Sequence, residues 1–398
     1  MSQVTAILVV HDGATWLPQV VAAIASQSRT PNRTLAVNTG SIDGSEKLLS
    51  GARIKSITIN RGDGFGTAIS EAVATLPPVE SEDEWIWLLH DDSAPEHDAL
   101  EKLLETVVDR PNIAMVGPKI LGWNDRKHLL EVGISIARNG ARWTGLEDHE
   151  YDQGQHDGIF EVLSVSTAGA LIRRSVFEEL GGFDEKLDLF RDDVDFGWRI
   201  HSAGQSVLVN TEAVVYHAEA SASERRDVDV DEAFLHRPLL LDRRNAAYVL
   251  LTNSTWWMLP LITLQLIGAA VVRAIGYLFA KLPGYASDEM LALFRLFTRP
   301  DLVRAGRKWR KEDRLVSPRI VTRFMPSRLV QLRSAIDSVT DRIQERLFPT
   351  QQVINSEIND EEDLLIPTNA RNWKLLLKRP DLMAFVSVFI FSIIFSHN

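Results

Sequence analysis

The sequence contains no cysteine, which excludes disulfide bonds and thiolate metal sites. Its N-terminus lacks a basic region followed by an apolar core, and we therefore expect no secretory signal. No G-x-G-x-x-G fingerprint follows the first apolar run, so a nicotinamide-dependent dehydrogenase is a poor interpretation. The net charge of −11 argues against general nucleic-acid binding, and we predict no nucleic-acid partner.

Short apolar runs alternate with stretches of helical spacing over roughly the first 220 residues. The apolar runs are rich in branched residues, which is typical of buried parallel strands. Strands are predicted at residues 4–10, 35–38, 54–59 and 85–89, and helices at residues 16–27, 46–49, 67–76 and 98–109. This alternation predicts an α/β fold, in which helices flank a mostly parallel sheet with right-handed crossovers.

The chain changes character after about residue 235. Residues 256–280 carry a single charge, Arg273, and are long enough to cross a bilayer. A single crossing would place the basic residues 281–350, with 15 Lys and Arg against 8 Asp and Glu, on the far side from the N-terminal part, against the positive-inside tendency. Arg273 would also cost about 2.5–3.5 kcal/mol at mid-bilayer. We therefore expect membrane-associated amphipathic helices in the interface, or a re-entrant hairpin; a buried soluble helix pair is the alternative.

These differences divide the chain into five predicted segments. They are an α/β domain (residues 1–235), interfacial or re-entrant helices (236–285), a basic helical segment (286–350), an acidic linker (351–372) and the start of a transmembrane helix (373–398). The last apolar run has only 14 residues, 382–395, which is too few for a comfortable span. We expect the chain to be the N-terminal part of a longer membrane protein.

Two adjacent carboxylates, Asp91 and Asp92, follow the predicted strand 85–89 and His90. Adjacent carboxylates repel each other unless a cation or a proton offsets their charge. In α/β enzymes the carboxyl edge of the sheet is where ligands bind. The pattern therefore predicts a divalent metal site, and a solvated turn that caps the next helix is the alternative.

Three further patterns carry polar residues at strand or helix ends. The first predicted strand ends in His11 and Asp12, and the second passes into a polar turn that contains Asp43. A block at residues 181–185 precedes an acidic helix start at residues 190–199, and His217 closes a later strand. Taken alone, an acidic helix start is a favourable contact with the helix dipole.

In this order and spacing, the four patterns resemble family 2 glycosyltransferases, which have the Rossmann-like GT-A fold. Members of that family open with a strand that ends in a Tyr-Asn-like pair, followed by a VDNGSTDGS turn, a DXD strand end and a GGFDE…EDVDLGWR block. The resemblance covers roughly residues 3–250, and the later part is similar to large actinobacterial membrane-bound members. It implies inverting, metal-dependent transfer of a sugar from a UDP- or dTDP-type donor to a lipid-linked or cell-envelope glycan acceptor. It also implies a cell-membrane protein with its catalytic domain on the cytoplasmic face.

The resemblance assigns the metal and the catalytic base to particular acids. Asp92, supported by Asp91, would hold Mn²⁺ or Mg²⁺, and His217 would complete that site. Asp193, with Asp192 beside it, matches the acidic pair that supplies the catalytic base. Such a base must be a carboxylate within hydrogen-bond reach of the acceptor hydroxyl.

The resemblance also implies a donor site. The nucleotide would contact His11, Asp12, Asn38, Asp43, Gly64, Phe65 and His90. The donor sugar or the acceptor would contact Ala168, Gly169, Ala170, Trp198 and Arg199, although an orienting role is the alternative for Arg199. Two departures stand out: Asn38 replaces a usual aspartate, and His90 occupies the first DXD position, where it would contact the ribose or a phosphate.

These departures support a second hypothesis from another functional class. A catalytically degenerate module could bind a nucleotide sugar or a glycan and serve a membrane assembly. The presence of Asp92, Asp193 and His217 together argues against it.

Overall fold

A central sheet with helices on both faces organises the first part of the chain in the computed structural model, which describes residues 2–147, 149–187, 189–218, 238–279 and 281–327. These described residues all belong to one unit, Met1–Ile343. The predicted segments 351–372 and 373–398, and residues 328–350 of the basic segment, lie outside the described residues.

The sheet combines parallel strands with a few short antiparallel ones. The strands are β1 Gln3–Val10, β2 Arg33–Asn38, β3 Lys55–Thr58, β4 Glu84–His90, β5 Ser93–Pro95, β6 Ile113–Gly122, β7 Leu129–Glu131, β8 Ser135–Ile136, β9 Arg142–Trp143, β10 Ile159–Glu161, β11 Leu171–Arg173 and β12 Ser206–His217. The order in the main sheet is β10-β12-β6-β11-β4-β1-β2-β3, with β5 paired to β12 and β7 to β6, whereas β8 and β9 form a separate two-stranded sheet. The pairs β1–β2, β1–β4, β2–β3 and β6–β12 are parallel, whereas β11 is antiparallel to both β4 and β6. The predicted α/β fold with a mostly parallel sheet is confirmed.

The helices cover the sheet because its strands are apolar on both faces. The helices are α1 Leu17–Ala25, α2 Ser45–Gly51, α3 Phe65–Ala74, α4 Ala99–Val107, α5 Arg174–Glu179, α6 Asp192–Ser202, α7 Pro238–Asn253, α8 Leu259–Phe279, α9 Pro283–Phe297 and α10 Pro300–Glu312. Alternate residues of β1 point to opposite faces: Ile7 packs with α3, α5 and α6, whereas Leu8 packs with α1 and α4. An apolar run that is buried on both faces is what predicted β1 and β4 from sequence.

A buried ion network joins α6 to the helices that follow residue 235. Arg310 on α10 donates to Asp184 (Nη2 to Oδ2, 2.7 Å) and to Asp195 on α6 (Nη2 to Oδ1, 2.7 Å). Asp195 also accepts from Asn253 of α7, at 2.7 Å. The domain boundary at residue 235 stays a prediction, but charged groups from both sides of it neutralise each other inside the fold.

Helix α8 has one buried and one exposed side. Together with the preceding 3₁₀ turn it forms an apolar stretch, Trp256–Phe279, that is long enough to cross a membrane by length and composition. Arg273, the charge within it, is buried and bonds to Glu289 of α9 (Nε to Oε1, 2.9 Å). Glu289 also accepts from Arg243 of α7 (2.9 Å), so the charge on α8 is paired within the protein.

Candidate active site

The ends of β4 and β12 and the start of β5 bring three side chains of metal-binding types together at the carboxyl edge of the sheet. His90 ends β4, His217 ends β12, and β5 pairs with β12 so that Ser93 lies opposite His217. Asp92 immediately precedes β5 and is thereby held beside His217, with 3.2 Å between Oδ1 and Nε2. Potential ligand atoms of His90, Asp92 and His217 all lie within 4.8 Å of one another. One carboxylate and two imidazoles at this spacing could hold a divalent metal ion.

Asp91 diverges from this group and faces the end of β1. Its Oδ2 accepts from the backbone N–H of His11 at 2.6 Å. A side chain on Gly13 would collide with the same carboxylate, so glycine is required for this close approach. The sequence predicted Asp91 as a metal ligand and His90 as a nucleotide contact, whereas the structure groups His90 with Asp92 and His217. The chain turns between β4 and β5, and this turn separates the two adjacent carboxylates.

Hydrogen bonds join the ends of β1 and β2, where the nucleotide contacts are predicted. His11 Nδ1 lies 2.6 Å from Thr39 Oγ1, and Asp43 accepts from the N–H of Ala14 at 2.7 Å. Asn38 donates to Glu46 (2.8 Å) and accepts from the N–H of Ser41 (2.8 Å). Both ends of the Asn38 amide are thus engaged, with one N–H and one lone pair left for a ligand.

Asp12 is bound by a cation that the sequence interpretation missed. Its Oδ2 accepts from Arg61 Nη2 at 2.6 Å, and its Oδ1 accepts from the N–H of Ile42 at 2.8 Å. Burial opposes the negative charge, but the hydrogen bonds from Arg61 and Ile42 outweigh it and lower the pKa of Asp12. An ionised Asp12 therefore links the ends of β1, β2 and β3.

The glycine-containing turn before α3 reaches the metal-ligand group through an aromatic contact. Gly64 caps α3, and the ring of Phe65 lies edge-on to His90 with 5.0 Å between centroids. The next residue, Gly66, would place a Cβ only 2.9 Å from Phe183 Cβ. The predicted positions Gly64 and Phe65 therefore lie beside His90 and the 181–185 block.

The small residues Ala168, Gly169 and Ala170 are buried beneath the same edge. Gly169 has a φ of +105°, and a Cβ there would lie 2.8 Å from Val215 and 2.9 Å from Pro118. The neighbouring Thr167 makes the direct contact, with 2.9 Å between its Oγ1 and His90 Nε2. Thr167 was not identified from sequence, although its position next to the predicted segment could have indicated it.

Asp192 and Asp193 begin α6 after an unusual turn. Phe190 and Arg191 both have positive φ, +65° and +70°, which is costly for residues with side chains and is often found at functional sites. Arg191 bonds to Asp242 of α7 through two hydrogen bonds, of 2.6 and 3.0 Å. Burial opposes the charge of Asp242, but Arg191 overrides it and lowers the pKa of Asp242 to about 2.

Asp193 is held by Arg142 of β9, which also binds Glu131 of β7. The Nη1 atom of Arg142 donates to Asp193 Oδ2 at 2.8 Å, and Nη2 donates to Glu131 Oε1 at 2.6 Å. Glu131 of β7 lies opposite Ile120 of β6, and His217 of β12 lies opposite Gly122 of β6. Glu131 and His217 thus flank the carboxyl end of one strand, and Arg142 connects Asp193 to that edge. Neither Glu131 nor Arg142 was identified from sequence, because they lie in a region without clear periodicity.

The backbone of α6 is fixed against residues 163–164. Ser164 Oγ donates to the carbonyl of Asp193 at 2.6 Å. A Cβ on Gly197 would collide with the Leu163 carbonyl and the Ser164 side chain, so only glycine allows this approach. The approach positions the first turn of the helix, and with it both aspartates.

Burial gives Asp192 an unusual proton affinity. Loss of solvent, followed by the neighbouring Asp193, raises the pKa of Asp192 to about 7. Between its ordinary value of 3.8 and about 7, the folded protein binds a proton that the unfolded chain releases, so stability falls as pH rises through this window.

We expect Asp192→Asn to be more stable than wild type at about pH 8 and to lose this advantage at about pH 5. Urea denaturation at both pH values measures the difference, and a pH-independent difference would contradict it.

Trp198 and Arg199 make their contacts with other parts of the fold. Trp198 is buried among residues of α7 and α8 and lines a small cavity of about 30 Å³. Arg199 bonds to Asp195 and to the carbonyls of Leu180 and Gly182. These contacts hold the 181–185 block against α6, and the predicted contact of Trp198 and Arg199 with the donor sugar or the acceptor stays a prediction.

Comparisons with known proteins identify the family of this chain. A family model described as glycosyltransferase like family 2 matches residues 5–228. N-acetylglucosaminyl-diphospho-decaprenol L-rhamnosyltransferase of Mycobacterium tuberculosis is 24% identical over 268 residues, covering 62% of this chain and 83% of that protein. Galactofuranosyltransferase GlfT1 of Mycolicibacterium smegmatis is 24% identical over 203 residues, covering 50% of this chain and 66% of that protein. Among solved structures, S. aureus TarS 1–349 aligns with a TM-score of 0.42 at 13% identity, covering 72% of this chain and 90% of that chain.

The family match spans more than half of the chain and includes all four sequence patterns. Residues 5–228 contain the His90, Asp92 and His217 group as well as Asp192 and Asp193. The chain belongs to the family 2 glycosyltransferases, as the sequence predicted, and it is a glycosyltransferase.

Proposed function

We propose that this glycosyltransferase moves a sugar, with inversion, from a UDP- or dTDP-type donor to a lipid-linked or cell-envelope glycan acceptor, and that it requires Mn²⁺ or Mg²⁺. The observation that carries the proposal is the group of His90, Asp92 and His217 at the carboxyl edge of the sheet. The names of two relatives support the substrate classes: one is the N-acetylglucosaminyl-diphospho-decaprenol L-rhamnosyltransferase, and the other is the dTDP-rhamnosyl transferase RfbF of Shigella flexneri.

The three side chains fit a divalent cation. Their ligand atoms are close enough to share one ion, and three ligands leave positions for diphosphate oxygens. Imidazole nitrogen suits transition metals better than Mg²⁺, so this donor set favours Mn²⁺. The bound ion would offset the negative charge that develops on the departing diphosphate.

Asp193 is proposed to act as the general base. Its carboxylate takes the proton from the acceptor hydroxyl, and the hydroxyl oxygen then bonds to the anomeric carbon. The bond from that carbon to the diphosphate oxygen breaks on the opposite face, which inverts the anomeric centre. Burial and the Arg142 contact hold the carboxylate ready for this step.

A binding experiment tests the metal site. We expect Mn²⁺ to strengthen the binding of UDP or dTDP in calorimetry, and His217→Ala to remove most of that gain, by about tenfold or more. His156→Ala is the control, since His156 contacts Glu150 on an acidic loop. Equal nucleotide affinity with and without Mn²⁺, in wild type and variant alike, would contradict the site.

The same preparation distinguishes the enzyme from a degenerate module. A panel of dTDP-rhamnose and UDP-sugars, with a diphospho-decaprenol acceptor, should release free nucleoside diphosphate. Metal-dependent binding without any release across the panel would favour the binding module.

We also propose that the chain works on the cytoplasmic face of the cell membrane, with α8 lying in the membrane interface. The outer face of α8 is defined here by its exposed apolar side chains, which are Leu261, Leu264, Ile267, Val271, Val272, Ile275, Leu278 and Phe279. Trp256 and Trp257 precede it, and exposed Tyr285, Met290, Phe294 and Phe297 of α9 add further apolar surface. Apolar surface of this extent suits lipid better than water, and tryptophan prefers the interface.

The opposite side of α8 favours a flat orientation over a span. Ile262, Leu266, Ala270, Arg273 and Tyr277 form a buried stripe along the helix. Arg273 is bound to Glu289, which also binds Arg243, so a crossing α8 would carry charged neighbours into the bilayer. Exposed Arg299, Arg304, Lys308 and Lys311 would attract anionic lipid. The predicted division of the chain into segments 1–235, 236–285 and 286–350 is part of this proposal.

Spin-label depth measurements test the orientation, because a chain without cysteine accepts single labels cleanly. Leu264→Cys, Val271→Cys and Leu278→Cys should all report the same shallow depth on anionic vesicles. A depth that changes steadily along the helix would instead show a span. Thr322→Cys, exposed outside the apolar face, is the control and should stay in water.

A charge on the outer face should weaken vesicle binding. Leu264→Glu places a carboxylate where the helix would enter the interface, and we expect at least tenfold weaker association with anionic vesicles in flotation. Asp301→Glu on the exposed start of α10 is the control and should bind as wild type. Unchanged flotation of Leu264→Glu would contradict the proposed surface.

A further inference from the structure

One guanidinium holds the proposed base and a second carboxylate at the same time. Arg142 bonds to Asp193 and Glu131 through different terminal nitrogens, and we name these three residues the Arg142 bridge. The side chains of Asp193 and Glu131 are only 8% and 11% exposed, whereas Arg142 is 31% exposed. Arg142 therefore lies at the solvent side of two buried acids. The planar fork of arginine suits this double contact, which the single ammonium of lysine cannot reproduce.

The Arg142 bridge holds one more carboxylate than cations. Glu131 Oε2 is buried and has no hydrogen-bond partner within the described part of the chain. Asp193 uses its other oxygen, Oδ1, to accept from the N–H of Val194 at 2.6 Å. The single cation is thus shared between two carboxyl groups.

We propose that Arg142 is a positioning residue, which holds the Asp193 carboxylate and aims it at the acceptor, and that Glu131 balances Arg142 when Asp193 becomes protonated. This inference rests on the proposed role of Asp193 as the base. Before transfer, the cation of Arg142 faces two carboxylates. When the acceptor O–H bond breaks and its proton moves to Asp193, the cation faces one. Glu131 then remains as the counter-charge, so Arg142 never becomes an unpaired cation at a partly buried site.

Two other charged groups near the base are paired with residues outside the Arg142 bridge. Arg191, just before α6, is paired with Asp242 of α7, and the charge of Arg142 also lowers the pKa of Asp242. Asp195, two residues after Asp193 on α6, faces Arg310 and Arg199. Asp192 remains as the close neighbour of Asp193, and two adjacent carboxyl groups titrate as a pair.

Opposite shifts in proton binding provide the test. Infrared titration follows the carboxyl absorption that disappears in Asp193→Asn, without need of substrate. Arg142→Met removes a cation, so the carboxyl pair of Asp192 and Asp193 should protonate at higher pH than in wild type, by about one pH unit or more. Glu131→Gln removes a competing anion, so the pair should protonate at lower pH. Arg142→Lys should restore part of the wild-type titration. A purely structural role of Arg142 predicts no opposite shifts in Arg142→Met and Glu131→Gln.

Kinetics with dTDP-rhamnose or the active UDP-sugar provide a second readout. Arg142→Met should lower kcat at least tenfold, leave the KM for the donor unchanged, and move the acidic limb of the pH–rate profile to higher pH. Arg323→Met is the matched control, since Arg323 pairs with Glu161 at 2.6 Å near the surface. Should Arg142→Met fail to fold, Glu131→Gln and Arg142→Lys still report the shift.

The outcomes separate this inference from the function on which it rests. Full turnover in Asp193→Asn would exclude Asp193 as the base. An inactive Asp193→Asn, together with wild-type titration curves in Arg142→Met and Glu131→Gln, would overturn only the role of the Arg142 bridge.

Discussion

Replacing Asp193 by asparagine should abolish sugar transfer and leave nucleotide binding intact. An amide of the same shape cannot accept the acceptor proton, and a positioned general base contributes about 10²–10⁴ in rate. Arg142 connects Asp193 to Glu131 of β7, which lies opposite Ile120 of β6, and His217 of β12 lies opposite Gly122 of the same strand. Nucleoside diphosphate release measures the loss, and calorimetry with UDP or dTDP and Mn²⁺ measures the retained binding.

Asp301→Asn is the control for this prediction, because it makes the same chemical change at an exposed position on α10. It should keep the wild-type turnover. A turnover rate in Asp193→Asn equal to that of the control would exclude Asp193 as the base and direct attention to Asp192, the next buried acid.

Replacing Arg310 by methionine should destabilise the fold by about 3–5 kcal/mol, which is the usual cost of breaking a buried ion pair. The Arg310 side chain is 1% exposed, and its partners Asp184 and Asp195 are 2% and 0% exposed. Methionine fills a similar volume but leaves the Asp184 and Asp195 carboxylates without this cation. Tyr248 would lose its contact with the guanidinium as well. Urea denaturation of the full chain measures the change in the free energy of unfolding.

Lys311→Met is the matched control, because Lys311 is the next residue on α10 and is exposed. A substitution there should change the free energy of unfolding by less than about 0.5 kcal/mol. If Arg310→Met were as stable as Lys311→Met, helices α7 to α10 could not be needed to neutralise the acids of α6. That result would favour a transferase domain that ends near residue 235.

The first four strands could be predicted because each is a continuous run of mainly apolar or β-branched residues in the sequence. β1, β2, β3 and β4 each appear within about two residues of their predicted bounds. For β1 and β4 the reason is that a strand covered on both faces needs an apolar run. The short strands β5, β7, β8 and β9 have no such run, and they were not predicted. Two of them supply Glu131 and Arg142, so the residues that hold the base were missed with the strands that carry them.

The acids themselves were identified because patterns in a fixed order resemble a family. That resemblance indicated Asp92, His217 and Asp193, whose roles stay predictions, and the structure places Asp92 beside His217. It could not decide which neighbour of Asp92 joins the metal-ligand group. The turn between β4 and β5 decides this, because it directs Asp91 toward His11 and leaves His90 beside His217.

The helices that follow residue 235 also separate what the sequence determines from what only the fold determines. Sequence alone determined that residues 256–280 are apolar and that Arg273 is their one charge. Only the tertiary structure decided that Arg273 faces Glu289 while Leu264 and Leu278 face outward. Composition and periodicity are local properties, and they specify which segments must be buried. Pairing between distant charges depends on how the segments pack, so the bridge between Glu131 and Asp193 and the network around Arg310 exist only in the folded chain.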